Sequence, residues 1–436
     1  MMLDIFVNGS FSGVLEQSDP YTFVFNYDVD APADRPVSLL MPKRIESWVS
    51  YGLHPVFQIS LPEGALRALI ERKFSKHFDR FGDVELLAVV GENLVGRIQA
   101  VPHGETPQAR TVHESMSRLL GENTDALVQH YLGERVSESG VSGGFAKFLS
   151  RSPVQSEGQR TTLALDEWIV KLNDEDHPNI VLLEYFGLMA AEKSGLPVPQ
   201  FHLSNDHKRL LVKRFDILPD GSRYGFEDMC ALLGLPTREK FTGSVERVIK
   251  AIRDYCPTKL AHASVDQFFG QYLLCNAIRN GDAHLKNFGL IYTGLHDVKL
   301  APVYDMLAMS VYAPQQSVSS DADDGMALNF AGSKRWLTEK AIKQLADRCL
   351  ISASSKLRWA RVIRQSVLET AHEVMEHLDR HPEDDFGAQA GRMLTLWSHG
   401  IQCLDKDGVV GQQLIEMANS IESYEGGAMV KRPTPN

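Results

Sequence analysis

The segment RNGDAHLKNFG, at residues 279–289, limits the possible folds of this chain more than any other stretch. Within six positions it carries an acid, an imidazole, an ammonium group and an amide, which are Asp282, His284, Lys286 and Asn287. An apolar run, FFGQYLLCNAI, precedes the segment, and a short β-like run, FGLIY, follows it. Two buried elements therefore hold a strongly polar loop in place, and that loop is a polar turn, a metal site or a catalytic loop.

Length, charge and cysteine content restrict the class of protein. A chain of 436 residues is long enough for two or three packed units. Its formal net charge of −11 disfavours direct, sequence-independent binding to nucleic acid, which requires a basic surface. The five cysteines show no CxxC spacing, so they indicate neither a zinc motif nor a redox motif and fit a reducing compartment.

The sequence carries no pattern for export or for a membrane. Its first residues, MMLDIFVNGSFSG, have neither the basic region nor the apolar core that is typical of a signal peptide. No apolar run reaches the roughly 18 residues that a membrane-spanning helix requires. We therefore expect a cytoplasmic protein that does not associate with a membrane.

The pattern of apolar and turn-forming residues predicts an α+β protein with three parts. Residues 1–105 open with a hairpin at Asn8-Gly9, a dipeptide that favours a type I′ turn, and continue as a small unit of strands and helices. Residues 106–225 contain a glycine-rich segment, then a strand, a helix and two further strands. Residues 226–436 are mostly helical, apart from the polar loop and the β-like runs after it.

The order of the polar motifs along the chain matches the needs of phosphoryl transfer. A carboxylate must orient the attacking hydroxyl, and an amide five residues later can hold a metal ion, as in the catalytic loop of protein kinases. Asp282 and Asn287 have this spacing, and a predicted hairpin after them would return Asp305, in VYDM, to the same place. Lys171 lies upstream on the apolar strand WIVKL, where a kinase carries the cation that binds the nucleotide phosphates.

Each of these motifs alone has a simpler interpretation. An isolated aspartate and asparagine at the spacing of Asp282 and Asn287 usually form a polar turn. A lysine on a strand is most often a solvent-exposed residue of an edge strand. The glycine cluster GVSGG is by itself typical of a flexible loop. The kinase interpretation depends on all of the motifs occurring in the order that a kinase requires.

Four longer motifs, GDAHLKNFGL, LAPVYDM, FEDMCALLGLP and VKRFD, have counterparts in one known family. They resemble the catalytic signature DGHAKNFSL, the metal motif L-x-P-x-YD, the segment EDMCQ-x-x-GLP and the adenine-side strand ERFD of the HipA family. This family consists of bacterial serine/threonine kinases that act as toxins of type II toxin–antitoxin systems. The resemblance spans nearly the whole chain. It implies a bilobal, protein-kinase-like (HipA-like) fold with a small β-rich N-terminal subdomain and a mostly helical C-terminal lobe.

The resemblance also implies a role for each matching residue, with ATP and Mg²⁺ as cofactors. Asp282 would be the catalytic base, Asn287 and Asp305 would hold Mg²⁺, and Lys286 would stabilise charge on the γ-phosphate. The other residues that would bind ATP are Ser142, Gly143, Gly144, Phe145, Ala146 and Lys147 in the phosphate-side loop, Lys171, Lys213, Arg214 and Phe215 beside the nucleotide, and His284 and Tyr304. Glu184 either pairs with Lys171 or is a solvated helix residue.

Two positions depart from the family pattern. The glycine loop reads Gly140-Val141-Ser142-Gly143 where the best-known member of the family has S-V-A-G, so Gly140 replaces the serine at which that kinase phosphorylates itself. Self-inactivation by phosphorylation is therefore either absent or moved to Ser142, where a phosphate would add about −1.5 to −2 charges beside ATP and expel the loop. Lys213 stands where an acid is usual, but main-chain atoms line the adenine.

The same resemblance implies the partners. We expect a small helix-turn-helix antitoxin of the HipB type, contact with DNA only through that antitoxin, and a protein substrate such as an aminoacyl-tRNA synthetase. Phosphorylation of such a translation factor would inhibit growth and produce persistence.

Two other functions stay open at the level of sequence. The first is a small-molecule kinase of the aminoglycoside-phosphotransferase type, against which the FEDMC segment and the N-terminal subdomain argue. The second is a non-catalytic corepressor that bridges DNA-bound antitoxins. Intact Lys171, Asp282, Asn287 and Asp305 argue against this second alternative, because inactive kinases tend to lose at least one such residue.

Overall fold

The computed structural model describes residues 1–107, 116–121, 147–153, 165–173, 177–313 and 325–425. The chain divides into two compact units, each built from several segments. The first unit comprises Met1–Val181, Pro199–Val265 and His284–Pro302. The second unit comprises Leu182–Val198, Asp266–Ala283 and Val303–Asn436. Each unit therefore assembles parts of the chain that are distant in sequence.

The first unit opens with a five-stranded antiparallel sheet in the order β4-β3-β2-β1-β5. Its strands are β1 (Met2–Val7), β2 (Ser10–Gln17), β3 (Thr22–Tyr27), β4 (Trp48–Tyr51) and β5 (Ile98–Pro102). The predicted hairpin between β1 and β2 is confirmed. Asn8 and Gly9 have φ values of 50° and 74°, as a type I′ turn requires.

Three helices pack with this sheet into one hydrophobic core. They are α1 (Pro55–Gln58), α2 (Gly64–Phe74) and α3 (Asp83–Val90). Ile70 of α2 and Leu87 of α3 belong to the same buried cluster as Leu3 and Ile5 of β1. The run VELLAVVGENLVGRIQAVP fits either strands or a buried helix from its sequence, and it forms α3 and then β5.

A second antiparallel sheet of the first unit has the order β6-β7-β9-β8. Its strands are β6 (Lys147–Pro153), β7 (Leu165–Leu172), β8 (Phe201–Leu203) and β9 (Arg209–Lys213). Strands β7, β8 and β9 confirm the sequence prediction. Strand β6 falls at the end of the glycine-rich segment, where the sequence predicts no strand, and it forms by pairing with β7. A short helix, α4 (Met116–Gly121), precedes this sheet in the chain.

The two strands that follow the polar loop form a third, smaller sheet with an earlier strand, in the order β10-β11-β12. They are β10 (Gly225–Asp228), β11 (Gly289–Tyr292) and β12 (Lys299–Leu300). The predicted hairpin of FGLIY and VKLAP is confirmed, because Leu290 pairs with Leu300. Asp297 closes its turn by accepting hydrogen bonds from Thr293 N and Gly294 N, both at 2.9 Å.

Helices dominate the remainder of the described chain, as the sequence predicts from residue 226 onward. One longer helix, α5 (Ile180–Lys193), precedes this part of the chain. The helices that follow residue 226 are α6 (Met229–Leu232), α7 (Val245–Tyr255), α8 (Thr258–Ala277), α9 (Glu339–Cys349), α10 (Ala353–Arg380), α11 (Gly387–Ile401) and α12 (Val409–Glu425). Among the described residues, no helix combines the length and apolarity needed to cross a bilayer.

Candidate active site

The second half of the polar loop, His284–Asn287, belongs to the first unit. Leu285–Asn287 form a 3₁₀ turn, and Asn287 Oδ1 accepts a hydrogen bond from His284 N at 3.1 Å that closes this turn. Leu285 N donates to Lys240 O at 3.1 Å and so attaches the turn to the segment between α6 and α7. The turn is buried, and its conformation is fixed by hydrogen bonds at both ends.

Lys286 points into the first unit and contacts two defined partners. Its Nζ donates a hydrogen bond to Ile59 O at 2.9 Å and lies 3.3 Å from Asp228 Oδ2. The Lys286 and Asp228 side chains are only 5% and 3% exposed, so this is a buried ion pair. These contacts give the ammonium group a structural role, and its predicted action on a γ-phosphate stays a prediction.

In the second unit, Asn280 connects the two predicted carboxylates through their main chain. Its Oδ1 accepts a hydrogen bond from Asp282 N at 3.3 Å, and its Nδ2 donates to Asp305 O at 3.4 Å. Asn280 is 1% exposed, and its Nδ2 also lies 3.9 Å from Met306 Sδ. One buried amide therefore sets the distance between the backbone positions of Asp282 and Asp305.

The sequence interpretation did not single out Asn280. Two signals were present in the sequence: an amide directly after an apolar helix, and its place two residues before the acid of the loop. A buried polar side chain at such a place must find hydrogen-bond partners, and main-chain groups of the loop are the nearest ones. The hydrogen bond from Asn280 to Asp305 O could not be predicted from neighbouring residues, because Asp305 lies 25 residues further along the chain.

The backbone of Asp305 adopts a left-handed conformation, with φ at 51°. Residues other than glycine rarely adopt this region, although aspartate tolerates it better than most. Such conformations are held in place by surrounding structure and cluster at active sites. Asp305 and Asp282 are both half-buried residues.

The segment after Asp305 packs tightly against helix α5 within the second unit. At Gly187 of α5, a Cβ atom would lie 2.8 Å from the Met306 carbonyl carbon and closer still to its oxygen. Only glycine permits this approach without movement of one backbone. Helix α5 therefore supports the main chain next to Asp305.

Lys171 lies on β7, which is an interior strand between β6 and β9. It is paired with Leu210 in the strand register, and the whole residue is 8% exposed. The alternative interpretation of Lys171 as a solvent-exposed residue of an edge strand is therefore wrong. Glu184 on α5 is 6% exposed, which also excludes the alternative of a solvated helix residue.

The predicted adenine-side residues lie in the first unit, where Lys213 ends β9 and Arg214 and Phe215 follow it. Lys213 N donates to Gln200 O at 2.8 Å. The buried guanidinium of Arg214 forms an ion pair with Asp216 and donates from Nη2 to Leu94 O at 3.1 Å. The Arg214 side chain thus has structural partners, while its predicted contact with a nucleotide stays a prediction.

The remaining predicted residues are distributed as follows. Asp282, Tyr304 and Asp305 belong to the second unit, and Tyr304 is half-buried. Lys147 begins β6 and pairs with Lys171. The other members of the predicted phosphate-side loop, and with them the predicted autophosphorylation at Ser142, lie outside the described residues; they are Ser142, Gly143, Gly144, Phe145 and Ala146.

Comparison with known proteins agrees with this fold. The HipA and HipB complex of Shewanella oneidensis with its operator DNA contains a chain that superposes with a TM-score of 0.62 at 18% identity, covering 98% of this chain and 100% of that one. A protein of Sinorhizobium fredii named as a candidate kinase, Y4dM, is 25% identical over 74% of both chains. A candidate kinase of Haemophilus influenzae is 24% identical over 33% of this chain and 46% of its own length.

The fold and the loop thus define an α+β protein of the kinase-like, HipA-like class, as the sequence predicted. Residues 3–101 match the model of the HipA N-terminal domain, and residues 139–381 match that of the HipA-like C-terminal domain. The chain belongs to the HipA family.

Proposed function

We propose that this protein is an ATP-dependent serine/threonine protein kinase and the toxin of a HipBA-like toxin–antitoxin module. The observation that carries the proposal is the Asn280 amide, which joins the main chain at Asp282 and Asp305. A side chain that fixes a candidate base relative to a candidate metal ligand is what phosphoryl transfer requires. Membership of the HipA family and the kinase names of two relatives support the same activity.

The residues of the site suit Mg²⁺ and ATP by their chemistry. Carboxylate and amide oxygens are the protein ligands that Mg²⁺ prefers, and Asp305 and Asn287 would supply them. Lys171 is a buried cation on a rigid strand and would bind the nucleotide phosphates. When bound, MgATP supplies the phosphoryl group that is transferred. Asp282 would accept the hydrogen bond of the attacking hydroxyl and orient it.

The proposal is tested with purified protein, Mg²⁺, ATP labelled on its γ-phosphate and a bacterial lysate. We expect label on a protein band, and phosphoserine or phosphothreonine after hydrolysis of that band. Label that appears only on small molecules would instead support the aminoglycoside-phosphotransferase alternative. Absence of any transfer, with binding to a DNA-bound antitoxin preserved, would support the corepressor alternative.

The proposed partner is a small helix-turn-helix antitoxin that carries the complex to DNA. The related Shewanella chain is found in a complex with HipB and operator DNA. A formal net charge of −11 disfavours direct binding of this chain to DNA, so an antitoxin would make the main DNA contacts. The proposed substrate is a translation factor such as an aminoacyl-tRNA synthetase, whose phosphorylation would stop growth. Identification of the labelled band by mass spectrometry tests this choice.

MgATP is expected to stabilise the protein, and Asp305→Ala is expected to remove the magnesium-dependent part of this effect. A ligand that binds only the folded state raises the free energy of unfolding by about 2.7 kcal/mol at a hundredfold excess over its dissociation constant. Thermal unfolding with ATP, in Mg²⁺ or in EDTA, measures the effect. The matched control is Asp379→Ala, at an exposed position of α10 in the same unit. A stabilisation by ATP that is insensitive to both EDTA and Asp305→Ala would contradict the metal role.

A further inference from the structure

We propose that Asp228 and the main-chain carbonyl of Ile59 position the catalytic loop by holding the ammonium group of Lys286. Ile59 lies in the N-terminal HipA domain, so this domain would help to hold the Leu285–Asn287 turn of the loop. The inference rests on the proposed kinase function and adds positioning residues to it.

The contacts of Lys286 satisfy its buried charge within the first unit. Ile59 O accepts from Nζ at 2.9 Å, and Asp228 Oδ2 lies 3.3 Å from the same atom. A buried ammonium group without such partners would be strongly destabilised by desolvation. Movement of Lys286 away from these partners would therefore cost much free energy. The residues next to it in the turn are held in place together with it.

Asp228 is itself held rigidly. Its Oδ1 accepts a hydrogen bond from Ala231 N at 2.8 Å and caps α6, while Oδ2 faces Lys286. In β10 it pairs with Gly289 of β11, which follows Asn287 by two residues. Asp228 is thus connected to the loop in two ways. Its main chain takes part in the pairing of β10 with β11, and its carboxylate forms the ion pair with Lys286.

The segment around Ile59 reaches the loop by a second, indirect route. Gln58 Oε1 accepts from Thr237 N at 3.1 Å, and Glu63 Oε2 lies 2.9 Å from Lys240 Nζ. Lys240 in turn accepts the hydrogen bond of Leu285 N through its main-chain oxygen. The N-terminal domain therefore supports the turn directly at Lys286 and indirectly at Leu285.

Residues of the segment between α6 and α7 also pack against the turn. The Phe241 ring lies 5.0 Å from the His284 ring in an edge-to-face arrangement. At Gly243, a Cβ atom would lie 2.6 Å from Leu285 Cδ2. The turn is closely packed at these two points, so we expect a shift of Lys286 to be transmitted to Asn287.

The test compares Asp228→Asn, Lys286→Met and the double variant with Ser38→Ala. Asparagine keeps the oxygen that caps α6 but removes the charge that faces Lys286. Ser38 is the matched control, because its Oγ donates to Glu227 Oε2 at 2.6 Å and so also joins the N-terminal domain to β10, one residue away from Asp228. Steady-state phosphoryl transfer gives kcat and the KM for ATP for each protein.

We expect each single variant to lower kcat by at least about tenfold, because misplacement of a catalytic group by about 1 Å costs up to a hundredfold. The KM for ATP should change less than kcat. The double variant should be no worse than Lys286→Met, because that variant already removes the ion pair that Asp228→Asn disrupts. Ser38→Ala should stay within about twofold of the wild type. A wild-type kcat in Asp228→Asn beside a loss in Lys286→Met would overturn the proposal and assign Lys286 to the phosphate directly.

A second measurement does not depend on kinase activity. Amide hydrogen exchange of peptides that cover the turn, read by mass spectrometry, should be at least about tenfold faster in Asp228→Asn and Lys286→Met than in Ser38→Ala. If the wild type transfers no phosphate, the proposed function fails while this comparison still decides the positioning role. Equal exchange of the turn in Asp228→Asn and in Ser38→Ala would overturn that role.

Discussion

Asp282→Asn is expected to lower phosphoryl transfer by at least about two orders of magnitude, the usual scale for a positioned acid–base group. The substitution removes the carboxylate that orients the substrate hydroxyl but retains the size and shape of the side chain. The hydrogen bond from the main-chain N–H at this position to Asn280 Oδ1, 3.3 Å long, does not involve the side chain and should persist. The fold is therefore expected to remain intact.

The measurement is the initial rate of transfer from labelled ATP, with thermal unfolding of the same preparations as the test of folding. Asp379→Asn, on the exposed side of α10, is the matched control and should keep wild-type activity. Near-wild-type transfer by folded Asp282→Asn would show that another group orients the hydroxyl, and the assignment of Asp282 would have to be abandoned.

Gly187→Ala is expected to damage both stability and activity, although alanine is favoured over glycine within a helix by about 1 kcal/mol. The added Cβ would lie 2.8 Å from the Met306 carbonyl carbon, which is a backbone atom and cannot rotate away. Overpacking of this kind typically costs about 1–3 kcal/mol. Because Asp305 precedes Met306, we also expect a weaker magnesium-dependent stabilisation by ATP.

Gly391→Ala provides the comparison for this prediction. Gly391 lies inside α11 in the same unit, and a Cβ there would meet its nearest neighbour at 3.8 Å, an ordinary contact. This substitution should therefore be neutral or stabilise the protein by up to about 1 kcal/mol. Urea unfolding of both variants measures the difference. Equal stability of the two alanine variants would mean that the backbone at Met306 moves freely and does not constrain Asp305.

Local patterns explain the parts of this fold that could be predicted from the sequence. Asn8-Gly9 specifies its hairpin through the φ values that the turn needs, and Gly195, with φ at 80°, follows the end of α5 as glycine commonly does after a helix. The β-prone runs FGLIY and VKLAP on either side of TGLHD predict the hairpin after the loop. Each of these signals involves residues that are neighbours in the chain.

The parts that could not be predicted depend on contacts between distant residues. Strand β6 is polar in composition and becomes a strand because β7 offers it a partner. The bond between Asn280 and Asp305 and the bond between Lys286 and Ile59 join residues separated by 25 and 227 positions. Lys286 illustrates the limit well, since its place in the loop of the predicted base suggests contact with phosphate, and its actual neighbours are Ile59 of the N-terminal domain and Asp228.

The partner that Ile59 offers to Lys286 is a carbonyl oxygen of the main chain, which every amino acid possesses. Exchange of the side chain at this position therefore leaves the acceptor in place, provided that the new side chain fits the buried site. A one-residue insertion or deletion between α1 and α2 has a different effect, because it moves the acceptor by the length of a residue. Position 59 should accordingly accept changes of residue type, and the connection around it should not accept changes of length. Gln58 and Glu63 differ from Ile59, because they support the turn through their side chains.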